Sequence, residues 1–202
     1  MNEKAIFKLS YGLYVLTAKE GDKQNGCIIN TAIQVTSTPL QVSITVNKQN
    51  LTHDMIMNTR KCAVSALSTD APFELIKHFG FQSGRNAEKF VNFPHNETAD
   101  GLPYLAYCAN AYLICQVTQT IDLGTHTMFI ATVTDCDILS NEPSLTYDYY
   151  HKNVKPAPAK APEKSKGWRC TICGYVHEEE ELPADFICPV CKHGASDFEK
   201  IQ

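Results

Sequence analysis

Four cysteines near the C-terminal end constrain this chain more than any other sequence feature. They form two Cys-x-x-Cys pairs, Cys170 with Cys173 and Cys188 with Cys191, and 14 residues separate the pairs. Two such pairs can supply the four thiolates of one tetrahedral metal site. Zinc and iron both accept four thiolate ligands, so the spacing leaves the metal open. Two disulfide bonds are the alternative without a metal.

The residues around these cysteines include more aromatic side chains than a bare zinc-binding loop needs. The segments 167–177 and 182–191 closely resemble rubredoxin, and the resemblance extends over residues 167–200. It implies that the four cysteines hold one iron ion, which carries single electrons. Gly174 fits this pattern, since glycine permits a left-handed turn after the first pair. A structural zinc ribbon is the alternative. The aromatic residues concerned are Trp168, Tyr175, Phe186 and Phe198.

Length and charge restrict the remaining possibilities. The 202 residues suffice for one domain of ordinary size and a second, small one. A net charge of −4 argues against a nucleic-acid surface. The sequence contains no run of 18 apolar residues, so it predicts no membrane-spanning helix. The N-terminal residues lack the apolar segment of a secretory signal, so we expect a cytoplasmic protein. The other cysteines are scattered singly, which fits a reducing compartment.

A linker separates the cysteine-rich tail from the rest of the chain. Residues 153–166 contain three prolines, three alanines and four lysines, a composition typical of an extended linker. At ~3.1 Å per residue such a segment reaches roughly 40 Å. We therefore predict a first domain over residues 1–152, a linker over 153–166 and a small domain over 167–202.

The first 152 residues are mostly strand-like, with six segments rich in Val, Ile, Thr, Tyr and Cys. Residues 50–59 have apolar side chains near helical spacing, and residues 69–77 combine a Thr cap with a proline in the first turn. Six strands and two short helices favour a closed antiparallel barrel with helices at its edges. The predicted strands are Tyr11–Ala18, Cys27–Gln34, Gln41–Val46, Cys62–Leu67, Ala111–Ile121 and Thr127–Ile138.

Four polar clusters interrupt these strands, at residues 25–36, 46–53, 79–85 and 124–130. The glycine motifs of Rossmann and P-loop nucleotide sites do not occur. As a set, and in this order, the clusters resemble the flavin-reductase-like FMN-binding split barrel. The resemblance covers roughly residues 1–150. It implies a mainly β fold, an antiparallel split β-barrel with short helices, bound FMN, and a homodimer with the flavin near the subunit interface.

The residue types in these clusters suit the parts of FMN. A phosphate dianion binds hydroxyls, amides and cations, and Thr52 is predicted to precede a helix, whose N-terminus also favours an anion. Asn30 and Gln34 can pair with the polar ring edge. Taken singly, each residue has an ordinary alternative, such as a helix cap for Thr52 or a solvated charge for Arg85. The phosphate candidates are Thr31, Asn47, Lys48, Thr52, Ser83 and Arg85, and Thr36, Gly80 and Gly84 lie in the same matched segments.

His126 is the candidate catalytic residue. Flavin reductases of this family often carry Gly-Asp-His at this point, with the histidine near the nicotinamide. The present chain has Gly124-Thr125-His126, so the histidine is kept and the acid is lost. A histidine with an ordinary structural role is the alternative.

The order of the two halves resembles that of the high-molecular-weight rubredoxins of strict anaerobes. Such proteins take electrons from NADH and reduce a flavodiiron protein that consumes oxygen or nitric oxide. A nicotinamide delivers two electrons at once and a four-thiolate iron accepts one, and FMN can bridge that mismatch. We therefore predict an enzyme that passes electrons from NADH or NADPH through FMN to iron and on to such a partner. The alternatives are a free-flavin or ferric reductase, and a flavin and iron carrier reduced by a separate enzyme.

Overall fold

The computed structural model describes residues 2–156, 167–171, 174–190 and 193–201. The predictions for Cys173, for Cys191 and for linker residues 157–166 therefore fall outside the described residues.

Residues 2–156 are built around one antiparallel sheet of seven strands, which confirms the predicted mainly β fold. The strand order is β2-β1-β5-β8-β9-β4-β3. A separate pair, β6 (Asn96–Glu97) and β7 (Pro103–Tyr104), forms a two-stranded sheet. The large sheet contains β1 (Tyr14–Glu20), β2 (Lys23–Ile29), β3 (Ala32–Ser37), β4 (Leu40–Asn47), β5 (Lys61–Leu67), β8 (Ala109–Asp122) and β9 (His126–Ile138). The helices are α1 (Leu51–Thr59), α2 (Phe73–Gly80) and the short α3 (Tyr147–Tyr149), which a π-helical turn (Tyr150–Val154) extends.

The connection between β2 and β3 shows why the sheet forms a barrel. These strands are consecutive in the chain but lie at opposite edges of the sheet, and only Asn30 and Thr31 connect them. A flat sheet of seven strands would hold its edges roughly 29 Å apart, at about 4.8 Å per strand, and two residues cannot span that distance. The sheet therefore curls until its edges approach, and the barrel is split between β2 and β3.

The single strand predicted over Cys27–Gln34 is wrong, because the chain changes edge in the middle of it. β2 pairs with β1, whereas β3 pairs with β4. The Thr31 hydroxyl donates to the carbonyl oxygen of Thr45 at 2.6 Å and fixes the point of crossing. Residue types on both sides of the break favour a strand, so only the pairing partners show where one strand ends.

Two further boundaries differ from the predictions. Helix α2 begins at Phe73 rather than after Thr69, since the Thr69 N–H donates to Pro143 O at 2.9 Å and is held outside the helix. Strand β1 begins three residues later than predicted because the Leu13 N–H donates to Leu145 O at 2.9 Å. In both places a distant segment takes the backbone groups that a local pattern would assign to the element.

Two apolar clusters lie in this domain. One includes inward-facing residues of the strands, such as Leu16, Ile44 and Phe129. The other includes α2 and the chain that follows it, with Phe79 at its centre. Lys89 is buried beside this second cluster, and its Nζ donates to the carbonyl oxygens of Gly26 and Phe79 at 2.8 Å each. This ammonium group therefore links β2 to α2.

The small domain has a sheet of three short strands in the order β11-β10-β12. They are β10 (Gly167–Cys170), β11 (Val176–His177) and β12 (Phe198–Ile201). Cys170, Cys188 and Phe198 are buried at its centre, and the predicted aromatic core surrounds them, with Trp168, Tyr175 and Phe186 packed against it. Among all described residues, no helix is long and apolar enough to cross a membrane.

Candidate functional site

A cavity of about 840 Å³ lies beside the connection between β2 and β3. Cofactor and ligand sites have volumes of roughly 300–1,000 Å³, so a nucleotide-sized molecule fits. The barrel side of the wall comes from the β2–β3 connection, the turn before α1, the loop after α2 and the segment 147–155. The opposite side comes from the small domain, through Ile187, Pro189, Val190 and His193.

One part of the cavity wall is polar and adjoins a helix N-terminus. Asn47 and Asn50 line it from the turn that leads into α1, and Ser83 and Arg85 line it from the loop after α2. The Asn50 side chain makes no capping hydrogen bond to α1, so it is not committed to that helix. Amides, a hydroxyl, a guanidinium and a positive helix end are the groups that bind a phosphate.

A chain of side-chain contacts holds Arg85 in place. An Arg85 guanidinium nitrogen donates to Asp54 Oδ2 at 2.6 Å. Asp54 Oδ1 lies 3.0 Å from His53 Nδ1, and His53 Nε2 lies 2.9 Å from the Thr127 hydroxyl. Burial alone would raise the pKa of Asp54, but its hydrogen bonds with His53 and Arg85 lower that pKa overall. The ionised Asp54 therefore orients Arg85 from behind the wall.

Aromatic side chains form a second part of the wall. Phe81, Tyr147 and Tyr150 line the cavity, and the rings of the two tyrosines have centroids 6.3 Å apart. Burial raises the pKa of Tyr150 to about 12, so its phenol keeps its proton at physiological pH. This surface suits the flat, largely apolar face of a ring.

His126 lies where β9 begins and lines the same cavity. It is paired across the sheet with Asn47, and its Nδ1 lies 2.8 Å from the Thr125 hydroxyl. Burial lowers the pKa of His126, which favours the neutral imidazole at neutral pH. The hydroxyl of Thr125 can donate to Nδ1 or accept from it, whereas the acid usual in this place can only accept when ionised.

The structure brings most of the predicted flavin residues to one place. Of the residues predicted from the sequence, those that line the cavity are Asn30, Thr31, Asn47, Gly80, Ser83, Arg85 and His126. They come from separate stretches of sequence, which meet because the barrel closes at its split.

Lys48, Gln34 and Thr36 are not brought to the cavity wall. Lys48 Nζ lies 2.7 Å from Asp122 Oδ1 in an ion pair on the exposed side of the β8–β9 turn. Gln34 is exposed on edge strand β3, where its Nε2 lies 3.4 Å from Thr36 O. Gln34 and Thr36 lie on β3, beyond the crossing point, and neither lines this cavity, so their predicted role in binding stays a prediction.

Thr52 and Gly84 support the wall from behind. Thr52 lies inside the first turn of α1 and not before it, so the expectation of a residue preceding the helix is wrong. It is fully buried, and its hydroxyl accepts from Asn25 Nδ2 at 2.9 Å. A Cβ atom on Gly84 would lie 2.1 Å from Asn25 Oδ1, so a larger residue here would displace the Asn25 side chain.

The small domain contains the described half of the predicted metal site. Cys170 and Cys188 are fully buried and belong to one cluster. Gly174 has φ +80°, the left-handed turn expected after the first pair, and its N–H donates to Cys170 O at 2.9 Å. The Cys188 N–H donates to His193 O at 2.8 Å. Two buried cysteines in an aromatic core fit half of a four-thiolate metal centre. The other two predicted ligands, Cys173 and Cys191, lie outside the described residues.

Known protein families match both parts of the chain. A family model described as a flavin reductase-like domain matches residues 6–158. The chain belongs to the flavin reductase-like family. A second model, described as a rubrerythrin, rubredoxin-like domain, matches residues 168–199. The family assignment therefore covers the barrel, and a rubredoxin-like domain follows it.

Members and relatives of this family share the architecture to different extents. The high molecular weight rubredoxin of Moorella thermoacetica is 40% identical, and the match covers 100% of both chains. The ferric-chelate reductase (NAD(P)H) of Archaeoglobus fulgidus is 35% identical over 82% of this chain and 100% of its own length. Among solved structures, the flavin reductase PheA2 in its native state has a TM-score of 0.61 and 29% identity, and covers 72% of this chain and 93% of its own.

Sequence patterns missed part of this flavin reductase-like site. Asp54 and His53 were not predicted to contribute, although His53 ends the matched segment 46–53 and Asp54 directly follows it. Their side chains carry the groups that hold Arg85. The contribution of the small domain to the cavity wall was missed as well. No local pattern reports it, because residues 187–193 and the barrel residues meet only in the folded chain.

Proposed function

We propose that this flavin reductase-like protein transfers electrons from NADH or NADPH through FMN in the cavity to iron in the small domain, and on to a redox partner. The partner class we favour is a flavodiiron protein. The observation that carries the proposal is that both the barrel and the small domain contribute residues to the cavity wall. Flavin-domain residues line one side, and the loop that contains Cys188 lines the other.

Each proposed role follows from a position in the cavity. Arg85, held by Asp54, binds the phosphate together with Ser83 and the N-terminus of α1. Asn30 and Thr31 at the split face the polar edge of the ring, and Tyr147 packs against its apolar surface. These assignments rest on the polar and aromatic parts of the cavity wall.

The cofactors complement one another. When bound, FMN links two-electron to one-electron transfer, and iron held by Cys170, Cys173, Cys188 and Cys191 carries electrons singly. The protein's part is to hold both and to keep His126 neutral near the cavity, where its imidazole can orient a nicotinamide carboxamide.

A spectrum and a rapid-mixing experiment test this proposal. Protein made under iron-replete conditions should contain one iron per chain and show flavin and ferric-thiolate bands together. Anaerobic mixing with NADH or NADPH should bleach the flavin band first and the iron band afterwards. Zinc alone in the small domain, with no ferric band, would exclude iron as the electron acceptor.

Ferric reduction is the second candidate, because the Archaeoglobus fulgidus relative named for that activity matches 82% of this chain. In that case the flavin would bleach, added ferric chelate would be reduced rapidly, and removal of iron from the small domain would not slow that turnover. Absence of a reaction with either nicotinamide would instead support a carrier reduced by a separate enzyme.

We further propose a homodimer. Ile33 is 66% exposed and Val35 is 49% exposed on β3, an edge strand of the large sheet. Apolar side chains on an exposed strand edge are typical of a surface that a partner covers.

A further inference from the structure

The loop formed by residues 187–190, here called the Cys188 loop, lies across one side of the cavity. Ile187, Pro189 and Val190 line the cavity wall opposite the flavin-domain residues. Neither Ile187 nor Val190 belongs to the core of the small domain, and with the barrel present they remain 47% and 37% exposed, so the barrel covers them only in part. Two apolar side chains on either side of a buried cysteine form a small docking surface.

The barrel offers a matching surface in the segment 147–155, which we call the mouth. Tyr147, Tyr150, His151 and Lys155 of this segment line the same cavity as the Cys188 loop. Lys155 Nζ approaches Thr171 O of the small domain at 3.4 Å. Burial raises the pKa of Tyr147, and the charge of Asp197 in the small domain raises it further. Aromatic and apolar side chains that line one cavity, with a polar contact beside them, are typical of a small docking interface.

The position of this interface matters because the donor must use the same cavity. His126, which is the candidate contact for a nicotinamide, lines the cavity that the Cys188 loop covers. A nicotinamide has to stack on an open face of the flavin ring to react. A nucleotide that entered this cavity would have to share it with the Cys188 loop, which lines one side.

We propose that the Cys188 loop is a reversible cap, which docks on the mouth and excludes the nicotinamide nucleotide while it is docked. Docking brings the proposed iron site next to the flavin cavity, and release opens the cavity to the donor. One barrel therefore cannot bind its donor and its own iron domain at the same time. The inference deepens the proposed function and rests on it for the identity of the excluded nucleotide, but docking itself is independent of that function.

The test compares two aspartate substitutions on the same small domain. Ile187→Asp places a charge in the docking surface, whereas Ala184→Asp places the same charge on an exposed turn residue outside the cavity wall. Lys155→Glu weakens the same interface from the barrel side and guards against a folding defect confined to the Cys188 loop.

The first readout is amide hydrogen exchange of the mouth, residues 147–155, in the oxidised, full-length protein without any nucleotide. Ile187→Asp and Lys155→Glu should speed exchange there, and Ala184→Asp should leave it unchanged. The second readout is calorimetric affinity for NAD⁺. If the cap is closed about 90% of the time, opening it should tighten NAD⁺ binding about tenfold, since apparent affinity scales with the open fraction.

The possible results distinguish three claims: that the Cys188 loop docks on the mouth, that the docked loop excludes the nicotinamide nucleotide, and that the proposed function is correct. Unchanged exchange in both interface variants would overturn docking. Faster exchange with unchanged NAD⁺ affinity would overturn exclusion while docking stands. If the flavin is reduced by neither NADH nor NADPH, and NAD⁺ binds none of the proteins, the proposed donor and its exclusion are both wrong, and the exchange result still decides docking.

Discussion

At the scale of single residues, two basic side chains that look equivalent in the sequence differ in the structure. Lys48 and Arg85 both lie in segments that resemble FMN-binding clusters. Both form partly exposed ion pairs, Arg85 with Asp54 and Lys48 with Asp122, but of the two only Arg85 lines the cavity. A surface ion pair of that kind contributes little, about 0.2–1 kcal/mol.

This difference predicts the outcome of two alanine substitutions. Arg85→Ala should weaken FMN binding about ten- to a hundredfold, because a charge-assisted contact is worth ~1.5–3 kcal/mol and each 1.4 kcal/mol is a factor of ten. Lys48→Ala is the matched control and should change the affinity less than about twofold. Fluorescence titration of the apoprotein with FMN measures both. Equal losses of FMN affinity in the two variants would mean that the position of Arg85 at the cavity wall does not distinguish it from Lys48.

Residue types identified much of the site but not its supporting contacts. Asn30, Thr31 and Ser83 were predicted from polar clusters, and the structure places them on the cavity wall. The role of Asp54 was missed because a carboxylate is an unexpected neighbour for a phosphate until its pairing with Arg85 is known. Gly84 was predicted as a binding residue, and the structure shows that it packs closely against the Asn25 side chain.

At the scale of elements, Lys89 joins β2 to α2 and so couples the two elements next to the cavity. Its ammonium group is nearly inaccessible to solvent and donates to carbonyls of both elements. Burial lowers the pKa of Lys89 from 10.5 to about 8. In the unfolded chain the same group returns to its ordinary pKa.

The pH dependence of stability follows from that difference. Between about pH 8 and pH 10.5 the unfolded chain holds a proton that the folded chain has lost, so the contribution of Lys89 to stability rises with pH across this window. Burial raises the pKa of Cys27, which has the opposite effect at higher pH. The quantity to measure is therefore the difference in free energy of unfolding between the wild type and Lys89→Met at each pH.

That difference should grow in favour of the wild type as pH rises through the window, by at most roughly 3 kcal/mol, at ~1.4 kcal/mol per pH unit. Urea unfolding at a series of pH values measures it. A difference that stays constant with pH would show that Lys89 titrates alike in the folded and unfolded chain.

Several elements were predictable because their residues obey one local rule. The residues Val42, Ile44 and Val46 of β4 alternate toward the interior as their pattern indicates, and β5, β8 and β9 were located within a few residues. The break at Asn30 and Thr31 was not predictable, since it depends on which strand each half pairs with. Pairing partners are a property of the whole sheet, and one strand's sequence does not specify them.

At the scale of the whole molecule, the exposed edge strand β3 predicts association of two chains. Ile33→Glu should convert the proposed dimer to a monomer, because a carboxylate would be desolvated in the interface. Val91→Glu is the matched control, since Val91 is 61% exposed in a loop of the same domain. Size-exclusion chromatography with light scattering gives the mass of each variant. A wild-type protein with the mass of one chain would contradict the dimer.

The two-residue crossing at Asn30 and Thr31 also determines the order in which the barrel can assemble during synthesis. The first 47 residues contain both outer hairpins, β1–β2 and β3–β4, whereas the strands between them follow later in the chain. Strand β4 obtains its second neighbour only when Gln41 can pair with Thr132. Each hairpin therefore leaves the ribosome with an unpaired inner edge, and such edges are sites of premature association. The residues that complete the barrel are those of β9, so the nascent chain stays vulnerable until that strand has been made.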